Sequence, residues 1–319
     1  MYRRIIIMKK SAQVANFNVV FGENELPMLE CFDTIVFPAF TSGITKKLGD
    51  NEFSFKNIEI TQNGNSFVLT GKIVKKTVLE IKSDLNEKGE LVEKDEKYSA
   101  APYSTFVINL RNHRMIYMPN QKGSPSIACF RSLIKHVLDA YIRQKNSELE
   151  EDKKLNYAIA NVVGIPSARS MDELLDNVEK VNSLTLRFYP LNGDMDYSEA
   201  FGLLSNDMRK ELGSKTGAIT YNSPKSIVGI KSILAKAAGT IDPVIKVITK
   251  GKSKVTLKDN ELAEKYEIDV DELKDFSEET KQLVDKTSEI ETLKFTNDKH
   301  DDIYERNKGK IIPFTNGKR

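Results

Sequence analysis

Residues Gly213–Lys258 have the sequence GSKTGAITYNSPKSIVGIKSILAKAAGTIDPVIKVITKGKSKVTLK. The pattern predicts a strand, a helix capped by Ser223 with Pro224 at its first position, and a second strand that ends in a lysine-rich turn. The charge is one-sided, because Met208–Lys258 contains eleven basic and two acidic residues in a chain of formal net charge +2. So dense a patch favours a polyanionic partner, since phosphate neutralisation dominates nucleic-acid affinity.

The same alternation of helices and strands extends through the second half of the chain. Helices are expected over Met171–Val181 and Ser198–Leu212, and strands over Ser183–Tyr189, Ala218–Asn222 and Val244–Thr249. Such an order predicts an α+β unit in which helices pack on one face of a sheet.

The first half has short segments of alternating apolar and polar residues. They indicate antiparallel strands around a hairpin signal at Asn63-Gly64-Asn65, followed by further strands at Lys72–Lys82, Ser104–Leu110 and Met115–Met118. Apolar residues then recur at helical spacing from Ile127 to Tyr141, which predicts a long amphipathic helix.

These patterns predict an α+β protein with three parts. We expect an N-terminal antiparallel β-rich lobe with a long helix over residues 1–147, a basic α+β lobe over 155–258, and a charged C-terminal arm over 259–319. Asp259–Asp302 contains sixteen acidic residues and six lysines with few apolar ones. We therefore expect short helices and a mobile arm that competes with a polyanion for the basic surface.

Composition excludes several classes of protein. Cys31 and Cys129 stand far apart in apolar contexts, which is typical of reduced thiols in a cytoplasmic protein. Three histidines and the absence of a CxxC pair argue against a zinc site. The apolar run Ile5–Met8 is too short for a signal peptide or a membrane span. We expect a soluble cytoplasmic protein without a cofactor.

Phosphate-loop and metal motifs are incomplete in this chain. Gly251-Lys252-Ser253 has a Gly-Lys pair, but Lys246 stands where the Walker pattern needs glycine. Glu80-Ile81-Lys82 matches the ExK element of metal-dependent nucleases, which also needs a carboxylate on a neighbouring strand to hold Mg²⁺. Asp50 and Glu59 are the candidates for that carboxylate. A metal at the loop acids Asp194 and Asp196 is a weaker possibility, since such pairs are usually solvated.

Two basic patches are the candidate nucleic-acid contacts, and no catalytic or metal-ligating residue is assigned. In the second half we predict contacts from Lys225, Lys231, Lys236, Lys250, Lys252 and Lys254. In the first half we predict them from Arg111, Arg114, Lys122, Arg131 and Lys135. The alternatives remain open: a solvated face of an amphipathic helix for the first patch, and an exposed hairpin tip for the second.

The layout of several stretches resembles the RexA family of phage-exclusion DNA-binding proteins. The stretches that carry the resemblance are NGNSFVLTGKIVKKTVLEIK (Asn63–Lys82), STFVINLRNHRMIYMPNQKGSPS (Ser104–Ser126), TLRFYPLNGD (Thr185–Asp194) and TYNSPKS (Thr220–Ser226). The resemblance implies an antiviral-defence protein that binds double-stranded DNA without sequence preference, as a homodimer. It implies no catalytic residues.

Three hypotheses follow. The first is a non-enzymatic DNA-binding protein of phage defence whose lysines and arginines neutralise phosphates, with RNA not distinguished from DNA by charge alone. The second is a Mg²⁺-dependent nuclease that uses Glu80 and Lys82. The third is a non-catalytic interaction subunit of a larger defence complex, which would reach a membrane only through its partner.

Overall fold

The structure is a computed structural model that describes residues 7–193, 207–237, 239–271 and 276–315. The strands of this part of the chain are β1 (Ile7–Phe21), β2 (Leu26–Pro27), β3 (Lys46–Leu48), β4 (Asn51–Asn63), β5 (Ser66–Leu85), β6 (Leu91–Ala100), β7 (Tyr103–Asn109), β8 (Arg114–Pro119), β9 (Ala158–Gly164), β10 (Val178–Phe188), β11 (Gly217–Asn222), β12 (Ile241–Thr249), β13 (Lys254–Lys258) and β14 (Lys265–Asp271). The α-helices are α1 (Phe37–Thr41), α2 (Ile127–Asn146), α3 (Ala168–Leu175), α4 (Met208–Glu211), α5 (Ile227–Ala237), α6 (Asp259–Leu262), α7 (Phe276–Thr287), α8 (Glu291–Lys294) and α9 (Asp298–Ile311).

The larger sheet is antiparallel and has the strand order β14-β1-β8-β7-β5-β4-β3. β2 and β9 also pair with β1, and β6 pairs with the outer part of β5. The Val14 N–H donates to the Glu264 carbonyl, and the Val14 carbonyl accepts from the Ile165 N–H, both at 3.0 Å. β9 and β14 therefore lie end to end along the same edge of β1.

Both faces of the larger sheet are covered, because β1 alternates apolar side chains toward each. Phe17 and Phe21 enter a core that includes the buried face of α2, and Val14 enters a second core with Leu283 of α7. The helical face predicted for α2 is confirmed, and the hydroxyl of Ser126 caps the helix by accepting from the Cys129 N–H at 3.3 Å.

The smaller sheet has the order β11-β10-β12-β13, and the helices α3 and α5 pack against one of its faces. Leu184 and Ile245 of the sheet pack with Leu175 of α3 and with Ile230 and Leu234 of α5. The α+β class predicted from the sequence is confirmed. Among the described residues, no helix is long and apolar enough to cross a membrane.

Local boundaries differ from the sequence predictions where turn chemistry decides them. The predicted helix over Met171–Val181 ends at Leu175, and β10 already begins at Val178. The cap of α5 is Ser226, whose hydroxyl accepts from the Gly229 N–H at 3.0 Å. Ser223 instead lies in the turn after β11, with a φ of 49°.

The C-terminal segment is folded onto the larger sheet, which differs from the expected mobile arm. Lys265–Asp271 pairs with β1, and α7 and α8 cover one face of the sheet with their few apolar residues. Ile303, Tyr304 and Ile311 of α9 are buried in the opposite core. Apolar residues are sparse in this segment, but several of them pack against the larger sheet and hold the segment in place.

One buried carboxylate fixes α7 to the sheet. The carboxylate of Glu279 lies 3.7 Å from Lys72 Nζ and 3.6 Å from Lys10 Nζ, and it accepts hydrogen bonds from the Tyr103 hydroxyl at 2.7 Å and the Thr105 hydroxyl at 3.2 Å. Burial lowers the pKa of Lys72, and Glu279 opposes that shift. The charged form of Lys72 therefore depends on this helix.

Replacing Glu279 by alanine should destabilise the protein by about 3 kcal/mol, because it leaves a buried lysine without its counter-charge. The measurement is the free energy of unfolding from urea titration. Glu278→Ala is the matched control, since Glu278 is exposed on the same turn of α7. Equal stability of the two variants would contradict a structural role for Glu279.

Candidate nucleic-acid interface

The face of the smaller sheet opposite α3 and α5, called the open face here, is polar and basic. Successive side chains of β12 point to opposite faces of the sheet, so that Ile245 and Val247 point to the helices while Lys246 points away. β13 alternates in the same way, with Leu257 inward and Thr256 outward. The cationic residues that this alternation places outward are Lys180, Arg187, Lys246, Lys254 and Lys258.

Three lysines of the open face are close neighbours. Lys246 is directly opposite Thr256, and Lys254 and Lys258 lie two positions to either side of Thr256 on the same strand. Diagonal neighbours of this kind are roughly 7–8 Å apart between their backbones. Within the described part of the chain, no carboxylate lies within 4.0 Å of any of the three ammonium groups. The cluster is therefore an uncompensated concentration of positive charge.

Neutral hydrogen-bonding groups lie beside these lysines. The hydroxyls of Thr185 and Thr220 are 2.9 Å apart across β10 and β11, and Thr256 is exposed on β13. Ser183 of β10 is directly opposite Lys246. Hydroxyl donors among ammonium groups suit phosphate oxygens, which accept hydrogen bonds from both.

Helix α2 closes one end of the open face. Arg131 of α2 forms a short ion pair with Asp259 and lies 3.6 Å from the carboxylate of Asp242, on β12. Arg187 lies 3.9 Å from the same Asp242 carboxylate. Lys135 Nζ is 5.6 Å from the centre of the Tyr189 ring, at the end of β10. The cations of α2 thus lie beside Arg187 at the end of β10, and Arg131 and Arg187 share the carboxylate of Asp242.

The acids at this junction are deeply buried. Asp242 and Asp259 are each 3 % exposed, and the Gly164 N–H donates to Asp259 at 3.0 Å. Desolvation raises the pKa of Asp242, and the nearby Asp259 raises it further, whereas Arg131 lowers it. Burial likewise lowers the pKa of Lys135. Arg131 therefore supports the ionised form of Asp242, the acid of β12 that lies against α2.

Some of the residues predicted from the sequence meet at this surface. Arg131, Lys135 and Lys254 belong to it, and Lys250 and Lys252 extend it at the β12–β13 turn. Lys252 is exposed but forms hydrogen bonds of 2.5 and 2.8 Å with the carboxylate of Glu179. Its charge is therefore compensated locally.

The predicted lysines of α5 lie elsewhere, because α5 covers the opposite face of the sheet. Lys231 is bound to Asp172 at 2.7 Å and to Asp176 at 2.8 Å, and these contacts raise its pKa. Lys236 is exposed on α5, and Lys225 is exposed just before α5 begins. One flat ligand cannot contact these lysines and the open face together.

The predicted contacts of the β7–β8 turn need correction. Arg114 is 2 % exposed, since it begins a strand inside the sheet, and cannot reach a surface ligand. Arg111 is held by Asp301 at 2.8 Å and Glu305 at 2.9 Å. Lys122 is exposed in the loop between β8 and α2. Position inside the folded sheet, rather than sequence spacing, decides which of these cations are accessible.

The sequence interpretation missed Lys180, Arg187, Lys246 and Lys258 as site residues. The signal was present in β13, where Lys254, Thr256 and Lys258 alternate with apolar residues, and in β12, where Lys246 separates Ile245 from Val247. Period-two alternation places such lysines on one face of a sheet.

The carboxylates proposed for a Mg²⁺ site of a nuclease lie on separate parts of the larger sheet. Glu80 lies on the exposed β5–β6 ribbon, with Lys97 at 3.0 Å and Lys82 at 3.2 Å. Glu59 pairs with Thr70, ten residues from Glu80 along β5, and Asp50 is in the β3–β4 turn. The described residues contain no cluster of three or more metal-binding side chains. Asp194 and Asp196 lie outside the described residues.

Replacing Asp242 by asparagine should change how stability depends on pH. Because the folded-state pKa of Asp242 is raised, the folded protein binds the extra proton and the wild type loses stability as the pH rises through that pKa. Asparagine removes this dependence. The stability of Asp242→Asn relative to wild type should therefore increase from pH 4 to pH 7 in urea titrations. Parallel pH profiles would contradict the burial of a raised-pKa carboxyl at this junction.

Comparison with known proteins gives no family and no function for this chain. No family model matches the chain, and no curated protein matches it in sequence. The function is therefore argued from the geometry of the open face and its charges.

Proposed function

We propose that the protein binds double-stranded DNA without sequence preference, through the open face of the smaller sheet and the adjoining end of α2. The observation that carries the proposal is the uncompensated cluster of Lys246, Lys254 and Lys258 on a polar sheet face. Mutual repulsion makes such a cluster unfavourable in the free protein, and phosphates relieve the repulsion.

The chemistry of the open face favours contact with the DNA backbone. Lysine ammonium groups and threonine hydroxyls bind phosphates without regard to the base. Tyr221 of β11 belongs to the helix-facing set of positions, and among the described residues of this surface the aromatic ring is that of Tyr189, beside Lys135 at one end, which offers a single stacking point. Single-stranded nucleic acid is usually held by stacking of bases on aromatic rings. A duplex ligand therefore fits the face better than a single strand.

The biological setting of the proposal rests on the resemblance to the RexA family. We infer a cytoplasmic role in anti-phage defence, with a homodimer presenting two open faces to one duplex. Two linked faces would raise the affinity through effective concentration. The same surface would also suit an RNA duplex, because both ligands present a dense array of phosphates.

The test compares two triple variants that remove the same charge from opposite faces of the sheet. Lys246→Gln, Lys254→Gln and Lys258→Gln together should weaken binding to a labelled random duplex and reduce the slope of log affinity against log salt by about 2 to 3, since each phosphate contact contributes about 0.9. Fluorescence anisotropy at several salt concentrations measures both quantities. The matched control replaces Lys225, Lys231 and Lys236 of the α5 region by glutamine and should retain the wild-type slope.

Several outcomes separate the hypotheses. Equal slopes for the two triple variants would remove the open face as the contact surface. No binding to duplex DNA at low salt would overturn the proposal and favour a protein-interaction subunit. Cleavage of the duplex in Mg²⁺ that is lost in Glu80→Ala would favour the nuclease instead.

A further inference from the structure

β11 is a terminal strand of the smaller sheet, and its outer edge is exposed. Among the described strands it pairs with β10 alone, over six consecutive residues and without a register shift. Four of its six residues are exposed, and the other two are partly exposed. β11 therefore presents a regular row of backbone hydrogen-bonding groups to solvent.

The sequence of β11 lacks the features that usually protect such an edge. Natural sheets discourage edge-to-edge pairing with charged side chains, proline or a bulge. The other terminal strands of the two sheets follow this rule: β3 begins with two lysines, β13 begins and ends with lysine, and β14 alternates charged with apolar residues. β11 has the sequence GAITYN, with neither a charge nor a proline. Such an edge favours pairing with another strand.

The hydrogen bonds beside β11 show which of its backbone groups point outward. The Ser223 N–H, just after the strand, donates to the Asn182 carbonyl at 2.8 Å. In an antiparallel pair, every second residue exchanges hydrogen bonds with the residue opposite it. The residues whose N–H and C=O groups this alternation directs away from β10 are Ala218, Thr220 and Asn222.

These outward groups are self-complementary about Thr220. When two copies of β11 lie antiparallel with Thr220 on a two-fold axis, Ala218 of one copy is opposite Asn222 of the other, so all the outward residues exchange backbone hydrogen bonds. The same register places Ile219 of each copy opposite Tyr221 of the other. Pairs of a β-branched and an aromatic side chain stabilise antiparallel strands. Tyr221 is 49 % exposed in the single chain, and this contact covers it.

We propose that two copies of this chain associate through β11, so that their four-stranded sheets become one sheet of eight strands. The inference rests on the homodimer of the proposed function and assigns its interface. The partner is a second copy because β11 itself offers the register that pairs all of its outward groups. The two-fold axis is perpendicular to the sheet, so both open faces lie on the same side of the joined sheet. The lysines of β13 lie at the far edges and do not face each other across the axis.

The interface is small, because it consists of one strand from each copy. Six residues per copy bury less than the roughly 800 Å² per partner of a typical stable complex. We therefore expect a dimer that forms at micromolar concentration and dissociates on dilution.

Sedimentation velocity of the full-length protein without DNA tests the interface. The wild type should change from monomer to dimer as its concentration rises through the micromolar range. Thr220→Pro removes the N–H at the centre of the interface from both copies, and it should raise the concentration of half-dimerisation by about tenfold or more. Pairing with β10 keeps its donors, because the Thr220 N–H points away from β10.

Thr256→Pro is the matched control on the other terminal strand of the same sheet. Thr256 is exposed on β13, and its N–H also points outward, because the Thr249 N–H donates to the Ser253 carbonyl at 3.0 Å and the alternation continues from there. This variant should dimerise as the wild type does. Thr220→Glu is a second test: it places two carboxylates opposite each other at the axis and should keep the chain monomeric. It replaces the proline variant if circular dichroism shows that proline disturbs the sheet.

Three results would overturn the inference. They are a wild type that stays monomeric throughout the micromolar range, dimers of unchanged stability in both Thr220 variants, and equal losses of dimer in Thr220→Pro and Thr256→Pro. Duplex binding is measured separately. A dimer that does not bind DNA would contradict the proposed DNA contact alone, whereas a monomer whose duplex binding depends on Lys246 would contradict only the interface.

Discussion

β1 has backbone hydrogen-bonding groups on two edges, and both edges must be paired because the strand is buried. One edge meets β8, and the other meets β9 and β14 in succession. These partners come from distant parts of the chain, so β1 is complete only when the middle and the C-terminal segment have folded. Its side chains also enter both cores of the larger sheet. This strand therefore makes the N-terminal lobe and the acidic segment one folded body.

The same constraint explains where the acidic residues are used. Asp259 and Glu279 carry charges that the sequence assigns to a repelling arm, yet each is buried against a cation of another element. Arg111 is likewise neutralised by two acids of α9. Folding thus uses acids of the C-terminal segment to compensate cations of the larger lobe. The lysines of β12 and β13 receive no such partner among the described residues.

Much of the architecture could be predicted from periodicity. The α+β class, the long α2 and the one-sided packing of helices on the smaller sheet follow from local patterns of apolar residues. The order of the strands could not be predicted, because β1 pairs with residues 158–164 and 265–271, far along the chain. The place of the C-terminal segment was missed for a related reason: a few apolar residues such as Ile268 and Leu283 suffice when all of them face a preformed sheet.

The sequence indicated that the candidate site is rich in basic residues, but it grouped together residues that lie on different faces of the fold. Charge density alone identified the basic half of the chain, and Lys254, Arg131 and Lys135 were named from it. Charge density cannot tell which face of a sheet a lysine occupies, so the lysines of α5 were grouped with those of β13. It also cannot show burial, and for that reason Arg114 was assigned to a surface. Local spacing gives the face of an element, whereas the tertiary fold decides whether that face meets solvent.

The cations of the two lobes differ in how they are placed. On the open face, flexible lysine side chains stand in solvent, so their attraction is long-ranged and falls with salt. On the larger lobe, Lys72 and Arg111 are held by carboxylates of the C-terminal segment, so their charges stabilise the fold. Solvent screening weakens the first kind of interaction much more than the second. The exposed lysines are therefore the cations whose attraction for an anion depends on salt, whereas the paired cations serve the packing of the C-terminal segment.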